Sequence, residues 1–162
     1  MKTFTKWFLV NAIIGTGIFF AEQKEALSTI VKNDLSYISI LIMALYVGVS
    51  IHIGRLCYLS DKMSTKNKKI REKEREYLIA RSDLGWFSAE HFFSLGLLGT
   101  IIGLIFATRG SLDSSLPVGE IVAGLKEGLN TAFYTTVCGI IFSLPLQVQL
   151  MILKFKLKDS NE

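Results

Sequence analysis

Two apolar segments, residues 92–108 and 129–153, carry a glycine and threonine pattern that strongly limits what this chain can fold into. Their central stretches read FFSLGLLGTIIGLIFAT and GLNTAFYTTVCGIIFSLPLQ, with small or hydroxylated residues three or four positions apart. A soluble core helix avoids this much glycine, because each glycine costs about 1 kcal/mol relative to alanine. Membrane helices tolerate glycine because it lets two backbones approach closely. The pattern therefore predicts tightly packed membrane helices.

The composition supports the same class of protein. Half of the 162 residues are hydrophobic and only 20% are charged, which is too apolar for an ordinary soluble domain. The net charge of +4 comes mainly from residues 62–81. Because this basic run lies between apolar segments, it indicates a membrane surface and not a nucleic-acid partner. Cys57 and Cys138 are interpreted as free, packed thiols, since they have no metal-ligand spacing.

Four apolar segments predict an all-α integral membrane protein with four transmembrane helices in a single membrane domain, residues 1–162. They are residues 7–21, 37–54, 92–108 and 129–153. The first would be only about 22 Å long, against a hydrocarbon core of about 30 Å. It spans if residues 3–6 are added with Lys6 reaching the surface. One alternative is an interfacial helix. Another is a signal peptide, although Phe19-Phe20-Ala21 would be a poor cleavage site for it.

Basic residues set the predicted orientation. Eight of them fall in the 60–90 link, and the C-terminal tail adds Lys154, Lys156 and Lys158. The positive-inside rule places the link and the C-terminus in the cytoplasm. The link mixes acidic and basic residues at helical spacing, which predicts a short helical extension of the flanking spans.

The small residues of the last two segments fall on one stripe of each predicted helix, at about 100° per residue. The stripes contain Gly96, Gly99, Thr100, Gly103, Ala107 and Gly110, and Gly128, Thr131, Ala132, Thr135, Gly139 and Ser143, with Thr136 at the edge. They predict close packing, with hydroxyls directed into whatever the helices enclose. Alternatively, the threonines bond only to their own i−4 carbonyls and aid packing. Pro145 is expected to bend the fourth helix.

Asp, Glu, Lys, Arg and His are all missing from the apolar cores of these two segments. Membrane proton relays normally need such a group at depth, so a proton carrier of this kind would take its carboxylate from a partner. His52 and His91 are isolated and no nucleophile–base pair is evident, so we expect neither an enzyme nor a cofactor.

Two stretches together resemble the paired signature of the MotA/TolQ/ExbB proton-channel family. They are GLLGTIIGLIFA at Gly96–Ala107 and GLNTAFYTTVCGIIFSLP at Gly128–Pro145. The resemblance covers roughly the last 70 residues, and it is fairly specific because GTxxG and TTxxGxxxxxP must occur in that order on consecutive spans. With its short cytoplasmic link, the chain looks like a minimal, short member.

The resemblance implies a pentamer around a dimer of a single-span MotB/ExbD/TolR-like partner, which carries a membrane Asp. It implies a stator-like channel subunit of a proton-motive-force-driven motor in the bacterial inner membrane. H⁺ is the expected ion and Na⁺ the alternative. Thr100 and Thr136 would line the pathway, with Thr135 beside them and Thr131 as a weaker candidate. ExbB-like members have a Glu at the position of Thr131.

Further roles follow from the same resemblance. Close approach of copies in the ring would be allowed by Gly96, Gly99, Gly103, Gly128 and Gly139, and Pro145 would shape the cytoplasmic end of the pathway. The rival hypothesis is a non-conducting oligomeric membrane scaffold or a phage-type small membrane protein, which would have no ion-binding partner.

Overall fold

The computed structural model describes residues 2–63, 68–111 and 117–159, and every regular element among them is an α-helix. This confirms the predicted all-α class. The helices are α1 (Thr3–Glu22), α2 (Ala26–Asn33), α3 (Ile38–Met63), α4 (Lys68–Ser111) and α5 (Val118–Asp159).

Four of the helices, α1, α3, α4 and α5, are long and apolar enough to cross a membrane. The helix α1 has 20 residues, about 30 Å, because it begins at Thr3 and not at residue 7. Its length therefore suffices for a span. The helices α4 and α5 have 44 and 42 residues, about twice the length that the hydrocarbon core needs.

The charged link is helical where the structure describes it. Residues 68–90 continue without a break into the apolar part of α4, and α3 runs on past residue 54 to Met63. The link is thus an extension of the flanking helices, as predicted, whereas residues 64–67 lie outside the described part of the chain.

The short helix α2 was not predicted from the sequence. Backbone turns with positive φ stand on both sides of it, at Glu25 (56°) and Tyr37 (58°). Asp34 directly follows α2, and its carboxylate accepts the Ser36 N–H at 2.9 Å and the Ser39 N–H in the first turn of α3 at 2.8 Å. These turns, with α2 between them, return the chain from the end of α1 at Glu22 to the start of α3 at Ile38.

The core lies between α3, α4 and α5. Ile53, Phe92, Leu146 and Leu150 from these helices are each at most 1% exposed. The helix α1 lies outside this core, and Thr3 is its only buried residue.

One end of the bundle is fixed by two long-range contacts. The Asp61 carboxylate on α3 accepts the backbone N–H groups of Thr3 and Phe4, each at 2.8 Å, and so caps the N-terminus of α1. On the neighbouring helices, the Arg75 Nε donates to the Leu157 carbonyl at 2.8 Å. A pocket lined by Leu59 of α3 and Leu78 of α4 joins these two pairs. The start of α1, the end of α3, the charged part of α4 and the end of α5 thus meet, and we call this the basic end.

A polar clasp holds α1 against α3 and α5. We use this name for Trp7, Asn11, Ser50 and Gln149. The Trp7 Nε1 donates to the Gln149 Oε1 at 3.1 Å, and the Ser50 Oγ lies 2.9 Å from the Asn11 Oδ1 and 3.0 Å from the Gln149 Oε1. Gln149 is fully buried. Polar contacts of this kind hold membrane helices together where apolar burial provides little drive.

Candidate ion-pathway site between α4 and α5

The site rests on direct backbone contact between α4 and α5. A Cβ atom added at Gly103 would lie 2.5 Å from the Ala132 nitrogen and 2.6 Å from the Gly128 carbonyl. One added at Gly96 would lie 2.9 Å from the Thr135 carbonyl. Because these neighbours are backbone atoms, they cannot rotate away. Only glycine at these positions lets the two helices approach so closely.

Three further glycines serve the same contact. A Cβ at Gly99 would lie 2.5 Å from the Thr135 side chain, and one at Gly139 would lie 2.7 Å from the Phe92 carbonyl. Gly128 faces the Gly103 carbonyl and Ala107. All five predicted packing glycines thus join two helices of one chain. Their part in contacts between copies stays a prediction.

Thr100 on α4 and Thr136 on α5 form a side-chain pair at this contact. Their hydroxyl oxygens are hydrogen-bonded to each other. Each also lies 3.1 Å from the Ala132 carbonyl, and the Thr100 Oγ1 lies 3.2 Å from the Gly96 carbonyl. Both side chains are half-buried. The arrangement collects two hydroxyls and two carbonyls. All four oxygens are hard ligands that can bind a cation, and the hydroxyls can also donate to a carboxylate.

The other two predicted pathway threonines do not join this pair. Thr135 is fully buried, and its hydroxyl donates back to the Thr131 carbonyl at 2.9 Å. Thr131, also fully buried, donates to the Asn33 carbonyl at 3.1 Å and accepts the Leu35 N–H at 3.1 Å. It therefore ties the α2–α3 connection to α5. A role for either residue as an ion ligand stays a prediction.

Back-bonding to the preceding turn is also present. Thr100, Thr135 and Thr136 each lie within hydrogen-bond distance of their own i−4 carbonyl. Only Thr100 and Thr136 combine this contact with a hydroxyl from the other helix. The alternative hypothesis, that the threonines bond only to their own i−4 carbonyls and aid packing, therefore fits Thr135 better than it fits Thr100 and Thr136.

Pro145 lies inside α5, away from the threonine pair. It lines an apolar cleft together with Val10, Ile13 and Ile14 of α1. Its role in shaping the cytoplasmic end of a pathway stays a prediction.

Sequence reasoning missed two sets of buried polar residues. Asp34, only 2% exposed, was overlooked although an Asp two positions before a Ser is a common turn signal. The polar clasp had no local signal, since Trp7 and Gln149 are 142 positions apart. Across the described ranges, no group of three or more His, Cys, Asp or Glu side chains is placed to hold a metal ion.

Four long apolar helices indicate a multi-pass membrane protein. The model of the MotA/TolQ/ExbB proton channel family matches residues 61–161, more than half of the chain. The chain therefore belongs to this family. Comparisons with curated proteins and with solved structures found no match.

The matched region contains all of α4 and α5 and only the last turn of α3. The threonine pair and the glycine contact lie entirely within it. The family consists of proton channels that form complexes with other membrane proteins, and it is not known as a family of enzymes.

Proposed function

We propose that this chain is the ion-conducting subunit of a membrane motor. Five copies would form a ring around a dimer of a single-span MotB/ExbD/TolR-like partner. The observation that carries this proposal is the half-buried Thr100–Thr136 pair, which lies in the part of the chain that matches the proton-channel family.

The chemistry of the pair suits a partner carboxylate. Segments 92–108 and 129–153 contain no acidic side chain, so the charged group that takes up the ion would come from the partner's membrane Asp. The hydroxyls of Thr100 and Thr136 would donate to this carboxylate when it is ionised and accept from the ion's hydration shell. H⁺ is the proposed ion, with Na⁺ as the alternative.

The proposed orientation puts the basic end in the cytoplasm of a bacterial cell. The start of α1, the link and the end of α5 meet there, so the N-terminus and the C-terminal end of α5 lie on one side. The lysines and arginines of this end are the groups that the positive-inside rule retains in the cytoplasm. Ion flow from the opposite side would turn the ring around the partner dimer and so produce rotation or force.

Copurification tests this proposal. The expected partner is the product of a neighbouring gene that encodes a single transmembrane helix containing an Asp. Native mass spectrometry should count five copies of the chain and two of the partner. Reconstituted vesicles should take up protons only when both proteins are present. A ring of four or six copies, or uptake that does not need the partner, would contradict the proposal. A closed ring that binds no partner would favour the scaffold hypothesis.

A further inference from the structure

A groove lies between α4 and α5 at the basic end, outside the threonine pair. Its volume is about 540 Å³, and it is lined by Arg75, Ser82, Trp86, Lys154, Leu157 and Lys158, among others. We call it the basic groove. Neither the glycine contact nor the proposed ion pathway uses it.

Two of the groove's cations are held in place. The Lys154 ammonium lies 5.8 Å from the centre of the Trp86 ring, a cation–π contact. The Arg75 guanidinium is anchored by its 2.8 Å bond to the Leu157 carbonyl. Arg75 also lines the groove, and this bond engages its Nε. Among the described residues, no carboxylate forms an ion pair with Arg75, Lys154 or Lys158.

The groove lies where the apolar segments give way to charge. Trp86 precedes the uncharged stretch that starts at Phe92 by six residues, about 9 Å of helix. Lys154 directly follows the segment that ends at residue 153. Tryptophan and lysine at such a position are typical of the headgroup level of a bilayer.

We propose that the basic groove binds the headgroup of an anionic phospholipid. Three cations from two helices surround a cavity that opens at headgroup level, and basic pockets between membrane helices select acidic lipids. The carboxylates of Asp83 and Glu90 also line the groove and oppose this binding. With three cations and these two carboxylates, the groove has a net charge of +1, which matches the single negative charge of the lipid headgroup. We therefore expect a moderate affinity. The inference is independent of ion conduction.

Lipid retention in native mass spectrometry tests this proposal. The purified chain, with its partner if it has one, is exchanged into micelles that contain phosphatidylglycerol or phosphatidylcholine. We expect preferential retention of phosphatidylglycerol, and Lys154→Gln should weaken it about fivefold, as the loss of one lysine near an acidic headgroup predicts. Lys154→Arg should restore it, and Glu90→Gln should strengthen it.

A matched control lies on the same helix. Lys126→Gln removes the same charge from α5 near its other end, where the side chain is exposed, and should leave retention unchanged. An equal loss in Lys126→Gln, or equal retention of both lipids, would overturn the proposal.

A photo-crosslink identifies the occupant directly. The groove residue Ser82 is replaced by p-benzoylphenylalanine and the protein is irradiated in the same micelles. The expected product is one chain with the mass of one phosphatidylglycerol added. A crosslinked pair of chains without lipid would show that a second copy fills the groove, and the lipid proposal would then be wrong.

Discussion

Thr100 and Thr136, 36 positions apart in the chain, meet through their hydroxyl oxygens at the contact between α4 and α5. This meeting depends on glycine. Gly96 and Gly103 leave so little space that an added methyl group would collide with the backbone of α5. The glycine and threonine patterns are therefore two parts of one arrangement. The glycines set the distance between the helices, and at that distance the two threonine hydroxyls hydrogen-bond to each other.

Replacing Gly103 should separate α4 from α5. Gly103→Ala should lower the free energy of unfolding by about 1–3 kcal/mol, since its methyl group would overlap backbone atoms of Ala132 and Gly128. Gly48→Ala is the matched control, because nothing lies within 4 Å of a Cβ there, and it should be neutral or stabilising by up to about 1 kcal/mol. Unfolding in a titration with denaturing detergent measures both. Equal effects of the two changes would contradict the proposed role of the close contact.

The polar clasp should couple α1 to α5. Gln149→Leu removes one of the two acceptors of the Trp7 Nε1, the other being the Ser50 carbonyl, and it removes a partner of the Ser50 hydroxyl. In a double-mutant cycle with Asn11→Leu, we expect a coupling energy of about 0.6–1.7 kcal/mol, the range of hydrogen bonds between membrane helices.

Gln147→Leu is the control for the clasp. The Gln147 side chain donates to Ser143 of its own helix, so its effect should add to that of Asn11→Leu. If Gln149→Leu and Asn11→Leu are additive too, the clasp does not hold α1.

Thr131 should act on the α2–α3 connection. Thr131→Val keeps the shape of the side chain but removes its bonds to Asn33 and Leu35. Hydrogen exchange at the Leu35 amide should accelerate about fivefold to tenfold, as expected for a hydrogen bond worth about 1 kcal/mol. Proton uptake should be retained. Lost uptake with unchanged exchange at Leu35 would instead make Thr131 a pathway residue.

Periodicity made much of the membrane architecture predictable. Glycines at helical spacing have few uses outside close helix contacts, so the pairing of residues 92–108 with residues 129–153 could be anticipated. The start of α1 could not, because Lys2 and Lys6 obscure the apolar pattern, and the cap on its first turn comes from the distant Asp61. The helix α2 is only eight residues long, too short for its periodicity to stand out.

The candidate site was predictable only in part. Four threonines share the small-residue pattern, and a helical projection does not distinguish the hydroxyls that face another hydroxyl from those that face a backbone carbonyl. The structure separates Thr100 and Thr136 from Thr131, whose partners Asn33 and Leu35 belong to elements that the projection does not contain. Long-range contacts of this kind leave no trace in the local sequence.

Proton uptake by Thr136→Val is the most direct test of the central claim, that the Thr100–Thr136 pair forms part of an ion pathway. The chain and its partner are reconstituted into vesicles, and uptake is compared with that of Thr136→Ser, which keeps the hydroxyl. We expect Thr136→Val to lose about tenfold or more in rate, because a hydrogen bond to a charged group is removed, while the ring and its partner stay assembled. Thr136→Ser should retain uptake. Unchanged uptake by Thr136→Val in an intact assembly would contradict the account.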